Sequence, residues 1–224
     1  MRLASGTERR GVSDETDDTL LPHVEKELMQ LLSNYHLEYP VYFLPTNLHS
    51  SPSQLHEYLQ TIIDAQMDAE QILICISGCG GGTSRLKATT AELVIPKTRD
   101  CVDILLSQDS VPSIRRATDG IFLTDSWMEF FRESSLDYQS MVNLCGQSRG
   151  EERLKTIYQG FEHFYIIDTG TYDLTPVKEY IQPLVSLLGG TLEIVPGKCG
   201  ILKKLVTGIF DDNFQIVPKG TISK

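Results

Sequence analysis

The chain has no excess of positive charge: 20 Lys and Arg stand against 30 Asp and Glu, a formal net charge of −10. Phosphate neutralisation needs a basic stripe, and Lys198, Lys203 and Lys204 make only a small cluster, so nonspecific nucleic-acid binding is not expected. No apolar run approaches the roughly 20 residues that cross a bilayer, and the amino terminus lacks the apolar segment of a signal peptide. We therefore expect no membrane partner and a cytoplasmic location. No Gly-Lys pair follows the glycine turn at 78–82 as a phosphate loop would need, and that turn lacks the GxGxxG spacing of dinucleotide binding, which leaves nucleotide binding unsupported. The five cysteines, Cys75, Cys79, Cys101, Cys145 and Cys199, contain no CxxC pair. Their odd number favours thiols or metal ligands over a disulfide framework.

What remains is enough for one substantial core or two small lobes within 224 residues. Residues 1–19 are polar and expected to be mobile; residues 20–224 are expected to fold, with a lobe boundary near Gln147 to Gly150. Apolar spacings of three and four predict helices over Leu20 to Leu32 and Ser53 to Asp68. Strands are predicted at Tyr39 to Leu44, Ile72 to Ile76, Ala91 to Ile95, Gly120 to Leu123, His163 to Asp168, Thr191 to Val195 and Asn213 to Val217. Further helices are predicted at Ser84 to Thr90, Asp100 to Leu106, from Asp125, at Gly150 to Gln159, Thr175 to Leu188 and Lys198 to Thr207. Alternating strands and helices imply an α/β fold. The expected form is a three-layer sandwich around a mainly parallel sheet, with room for two similar Rossmann-like lobes.

Ligands bind at the carboxyl ends of strands in such sheets, and two cysteines fall there. Cys79 lies in a glycine turn after the strand Ile72 to Ile76, where Gly80 and Gly81 permit close approach of a ligand to the backbone. Cys101 opens a short helix behind Asp100, where the helix dipole favours a thiolate. With His49, these two would form a Cys2His set suited to zinc with an open fourth position. Asp168-Thr169-Gly170 ends another strand and offers a carboxylate, a hydroxyl and a flexible backbone, with Asp168 as a general base or as the cap of a turn. Cys75, Cys145 and Cys199 read as small packed residues, and Trp127, the single tryptophan, as a core anchor.

The chain resembles the DUF1638 family from about Leu48 to Gly220. The likeness rests on Leu48-His49, Ser77-Gly-Cys-Gly80, Ile95-Pro96 with Asp100-Cys101, Leu123-Thr124 with Trp127, Ile167-Asp-Thr-Gly170, Val195-Pro-Gly197 and Phe214-Gln-Ile-Val-Pro218. The resemblance implies an uncharacterised family of anaerobic bacteria and archaea, often encoded near corrinoid-dependent methyl transfer, and matches His49, Cys79, Asp100, Cys101 and Asp168 to family positions. Arg99 stands where the family commonly has histidine, Gly120-Ile-Phe122 departs from the family pattern, and the usual opening strand is not apparent before Leu20. Three functions follow as expectations. The first is a zinc-thiolate site in one-carbon metabolism, with Cys79 and Asp168 as catalytic residues and a small molecule or a corrinoid-pathway protein as partner. The second is a noncatalytic ligand-binding module using Gly80, Gly81, Asp100 and Thr169. The third is a metal-free thiol enzyme with Cys79 as nucleophile.

Overall fold

The computed structural model describes residues 24–45, 48, 51–76 and 78–224, without the side chains of Cys79, Glu129 and Glu133. The chain is α/β. Helix α1 spans Glu25–Asn34 and α2 spans Pro52–Ala65, whose proline sits in the first turn, where a missing N–H costs nothing. Strand β1 (Gln71–Leu73) leads through a 3-10 turn at Cys79–Gly81 to β2 (Glu92–Pro96) and α3 (Cys101–Leu106). Next come β3 (Gly120–Leu123), α4 (Asp125–Ser134), α5 (Tyr138–Cys145), α6 (Gln147–Ile157) and β4 (His163–Asp168). Then α7 (Leu174–Leu188), β5 (Thr191–Pro196), α8 (Gly200–Val206) and β6 (Phe214–Val217) complete the order.

Among the described residues the strands make two three-stranded sheets, β1-β2-β6 and β3-β4-β5. The second is wholly parallel, as is the β1–β2 pair, whereas β6 returns antiparallel beside β2 with Val94 opposite Ile216. Successive residues of a strand face opposite ways, and this distributes the core. In β2, Val94 points into one cluster with Cys101, Ile104 and Leu202, while Leu93 and Ile95 point into another with Leu55, Leu59 and Ile63 of α2. In β4, Ile167 joins the Val94 cluster, while Phe164 and Ile166 pack on Leu154 and Ile181. Both sheets thus contribute one face to a shared core built on α1, α3 and α8, and the other face to a helical cover of their own. The passage between sheets runs through 107–119, and Gln147–Gly150 forms the first turn of α6.

Several expected elements take another form. Tyr39 to Leu44 is irregular, because Pro40 offers no N–H and no ladder partner lies against the segment among the described residues. Ser84 to Thr90 is a run of turns in place of a helix: Arg85 sits at φ +60, and Lys87 bridges antiparallel to Ile222. Thr175, followed by Pro176 and an apolar run, reads as the cap of α7 by sequence, but the cap is Asp173, whose carboxylate accepts from Thr175 N–H at 2.9 Å. Helix α5 and the antiparallel sense of β6 were not foreseen. None of the described helices is long and apolar enough to cross a membrane.

Candidate functional site

The carboxyl ends of β1, β2, β4 and β5 carry the proposed chemistry. After β1, Gly78 N–H donates to the Thr98 carbonyl at 3.4 Å, and a Cβ on Gly78 would stand 2.9 Å from the Arg99 carbonyl oxygen. The turn holding Cys79 is therefore pressed against the segment that leads into Cys101. Its glycines each have a steric reason: Gly80 and Gly81 adopt φ +67 and +98, and a Cβ on Gly82 would meet Leu55 at 2.6 Å. Thr98, between the two cysteine-bearing segments in sequence and space, is buried, and its hydroxyl has no hydrogen-bond partner.

Asp100 caps α3, accepting from Asp103 N–H at 3.1 Å, and is gripped by Arg116 through two contacts of 2.7 and 2.8 Å. Its carboxylate oxygens are thus already engaged within the protein. Asp103, almost wholly buried, receives a fork from Arg99 at 2.7 and 2.7 Å, with Arg116 Nε 3.4 Å away. Burial is the largest influence on Asp103 and opposes ionisation, but the hydrogen bonds from Arg99 and the charges of both arginines outweigh it and hold the carboxyl below the usual range. Cys101 is buried in the shared core beside Val102 and Ile104.

At the end of β4, Asp168 is exposed and accepts from Gly170 N–H at 3.0 Å, the geometry of a capped turn. Thr169 and Thr171 hydroxyls donate to Oε1 of Glu27 at 2.6 and 2.7 Å. Glu27 is buried on α1 and lies near enough to Cys199 to raise its thiol pKa further. Cys199 sits in the left-handed region at φ +49, and its N–H donates to the Leu105 carbonyl at 3.0 Å. Sequence reasoning missed Glu27 and the Asp103 network. A signal existed in each case: Glu27 falls on the apolar stripe of Val24, Leu28 and Leu31, and Asp103 interrupts an apolar six-residue helix.

Burial pushes the Cys75 thiol up to about 12, and burial with the Glu27 charge does the same for Cys199. At pH 8 each should hold roughly a thousandfold less thiolate than an ordinary thiol near 8.5. Cys199, which is buried, should therefore resist iodoacetamide in the folded chain and react promptly in urea, as read by peptide mass mapping. Because the folded values are raised, the stability these thiols contribute is intact below the ordinary thiol range and is lost as pH climbs toward about 12.

His49 and the Cys79 side chain lie outside the described atoms, so Cys101 is the one expected metal ligand whose side chain is placed. Among the described residues no group of three His, Cys, Asp or Glu is arranged to hold a metal ion. In comparisons with known proteins, residues 43–206 match a family model described as a protein of unknown function, DUF1638. No curated protein and no solved structure matches the chain.

Proposed function

The chain belongs to the DUF1638 family, whose description assigns no reaction, and we propose that its site is a cysteine-thiolate centre at the carboxyl ends of β1 and β2. The supporting observation is the packing of Gly78 on Thr98 and Arg99, which draws the Cys79 turn against the start of α3 and its Cys101. In this reading Cys79 and Cys101 are ligands, His49 is the third, and the buried, unpartnered Thr98 hydroxyl is available to hydrogen-bond a thiolate from below. The donor set of two thiolates and one imidazole fits zinc, which would keep a bound thiol ionised and nucleophilic at neutral pH. Asp168, exposed at the end of β4 in the second sheet, serves as base or orienter in this reading, with Gly80, Gly81 and Thr169 along the ligand's approach. Asp100 acts through α3, since Arg116 already holds its carboxylate. The substrate class is a thiol or methyl donor of one-carbon metabolism, consistent with the genomic setting that the resemblance implies. The finer architecture in this reading is a three-layer sandwich with two Rossmann-like lobes, supported by helical cover on both faces of each sheet.

Protein purified with zinc in the medium should carry about one ion per chain by elemental analysis. Cys79→Ser and Cys101→Ser should each release it while the far-ultraviolet circular dichroism is retained. Zinc far below one per folded wild-type chain overturns the metal centre. A metal-free chain in which one thiol titrates well below roughly 8.5 points instead to Cys79 as a lone nucleophile.

A further inference from the structure

A cavity of about 880 Å³ opens along the outer edge of β1 and reaches Cys75 and Ile76 just past its carboxyl end. Its far wall is the irregular segment 39–44, and its floor includes Leu28, Leu32, Ile63 and Leu205. Glu92 N–H donates to the Glu70 carbonyl at 3.2 Å and Ile74 N–H to the Val94 carbonyl at 2.9 Å, so residues 70 and 74 turn their backbone groups toward β2. By the alternation of a strand ladder, Gln71, Leu73 and Cys75 turn theirs outward, and among the described residues β1 is the edge strand of its sheet. The cavity is thus bounded on one side by a row of backbone donors and acceptors, and above and below by apolar side chains.

Its charge has one sign. Glu25, Asp68, Glu70 and Glu92 line it, with no lysine or arginine among the described lining residues. Oε2 of Glu25 is buried and has no hydrogen-bond partner; burial, opposed by the Lys26 charge, pushes this carboxyl up. An occupant must therefore bring apolar side chains, backbone groups matching a strand edge, and a cation. A fatty acyl chain or other small apolar ligand brings only the first of these. Residues 1–19 offer only Met1, Leu3, Ala4 and Val12 as apolar side chains, too few to cover the walls.

We propose that this slot receives an extended segment from a partner chain as an added strand beside β1, with apolar residues at alternate positions and a lysine or arginine at its end. Added strands gain affinity from main-chain hydrogen bonds and selectivity from alternate side chains, and the four carboxylates select the basic end.

The test is fluorescence anisotropy of the full chain with a labelled, end-blocked peptide, Lys-Val-Thr-Val-Ile-Val-Lys. Saturable binding is expected. N-methylation of alternate amides, which leaves every side chain in place, should weaken it tenfold or more, about 1.4 kcal/mol. Glu25→Gln should weaken the lysine-ended peptide but leave a serine-ended version unchanged. The proposal fails if the parent peptide does not bind, or if the N-methylated peptide binds equally. It also fails if myristate displaces the peptide at equal affinity, which makes the slot a lipid pocket. Equal binding of a peptide copied from residues 1–19 assigns it to the chain's own terminus. Self-association that the peptide dissolves assigns it to a second copy.

Discussion

Gly200→Ala is expected to abolish stable folding. A Cβ at this position would stand 1.5 Å from the Gln108 carbonyl oxygen and 2.4 Å from its carbon, and both are backbone atoms. Backbone rigidity makes the cost severe, because α3 and α8 are locked together here by hydrogen bonds. Gly200 N–H donates to the Ser107 carbonyl at 2.8 Å, and Ile201 N–H donates to the Ser107 hydroxyl at 3.0 Å. The same hydroxyl donates to the Ile104 carbonyl at 2.6 Å, so it joins the end of one helix to the start of the other. A loss of about 4 kcal/mol or more is expected, at the extreme of single substitutions. Gly208→Ala is the matched control: Gly208 adopts φ +75, with nothing within 4 Å of its Cβ position. It should lose only the left-handed backbone cost of roughly 1 to 2 kcal/mol. Urea unfolding followed by circular dichroism checks both, and equal effects would show that the α3–α8 junction yields more easily than its hydrogen bonds imply.

Asp103→Asn should be the next most damaging change. The Asp103 carboxylate is 1% exposed and answers two guanidinium groups, of which Arg116 is itself largely covered, at 18%. Removing the anion takes the ionised acceptor from the Arg99 fork and from the Arg99 backbone N–H and leaves Arg116 with Asp100 alone, and losing hydrogen bonds to a buried charged group costs about 1.5 to 3 kcal/mol. Replacing Arg99 should cost less, since 60% of its side chain is in solvent. The pH dependence carries its own signature. The folded carboxyl lies below its ordinary value, so the stability it contributes is present above about pH 3.9 and is lost as pH falls through the folded value. Asp103→Asn should flatten that acid limb of the unfolding free energy; an unchanged acid limb would remove Asp103 from the account.

Elements buried on both faces were legible from the residues alone. His163 to Asp168 was readable to the residue because it is a continuous apolar run ended by Thr-Gly. Asp100 as the cap of α3 followed from side-chain chemistry next to an apolar run, whereas for α4 that chemistry left Thr124 and Ser126 as alternatives, of which Thr124 is the cap. Tyr39 to Leu44 has strand composition, but composition cannot tell whether a neighbouring edge will pair with it, and here a cavity intervenes. The direction of β6 was equally hidden, because alternation along a strand is the same for parallel and antiparallel partners. At the site, sequence placed Cys79 and Cys101 on strand ends, and their loops do meet through Gly78. It did not reveal that Asp100 would be spent on Arg116, sixteen residues on, or that Glu27 would reach across to Thr169 and Thr171. Those pairings depend on tertiary approach, which local periodicity does not encode.

The stretch 214–223 has a bearing on synthesis. Strand β6 completes the first sheet only after the whole of the second has been specified, and beyond it Ser223 accepts from Leu86 N–H at 2.8 Å and donates to the Thr83 carbonyl at 3.1 Å. While a ribosome still holds residues 214–223, the nascent amino-terminal half must wait with an open flank on β2 and loose ends at 83–88. The parallel carboxyl-terminal sheet, by contrast, has all its strands in hand. Assembly should therefore run against the direction of translation, and the growing polypeptide is most in need of chaperone cover over its earliest-made half.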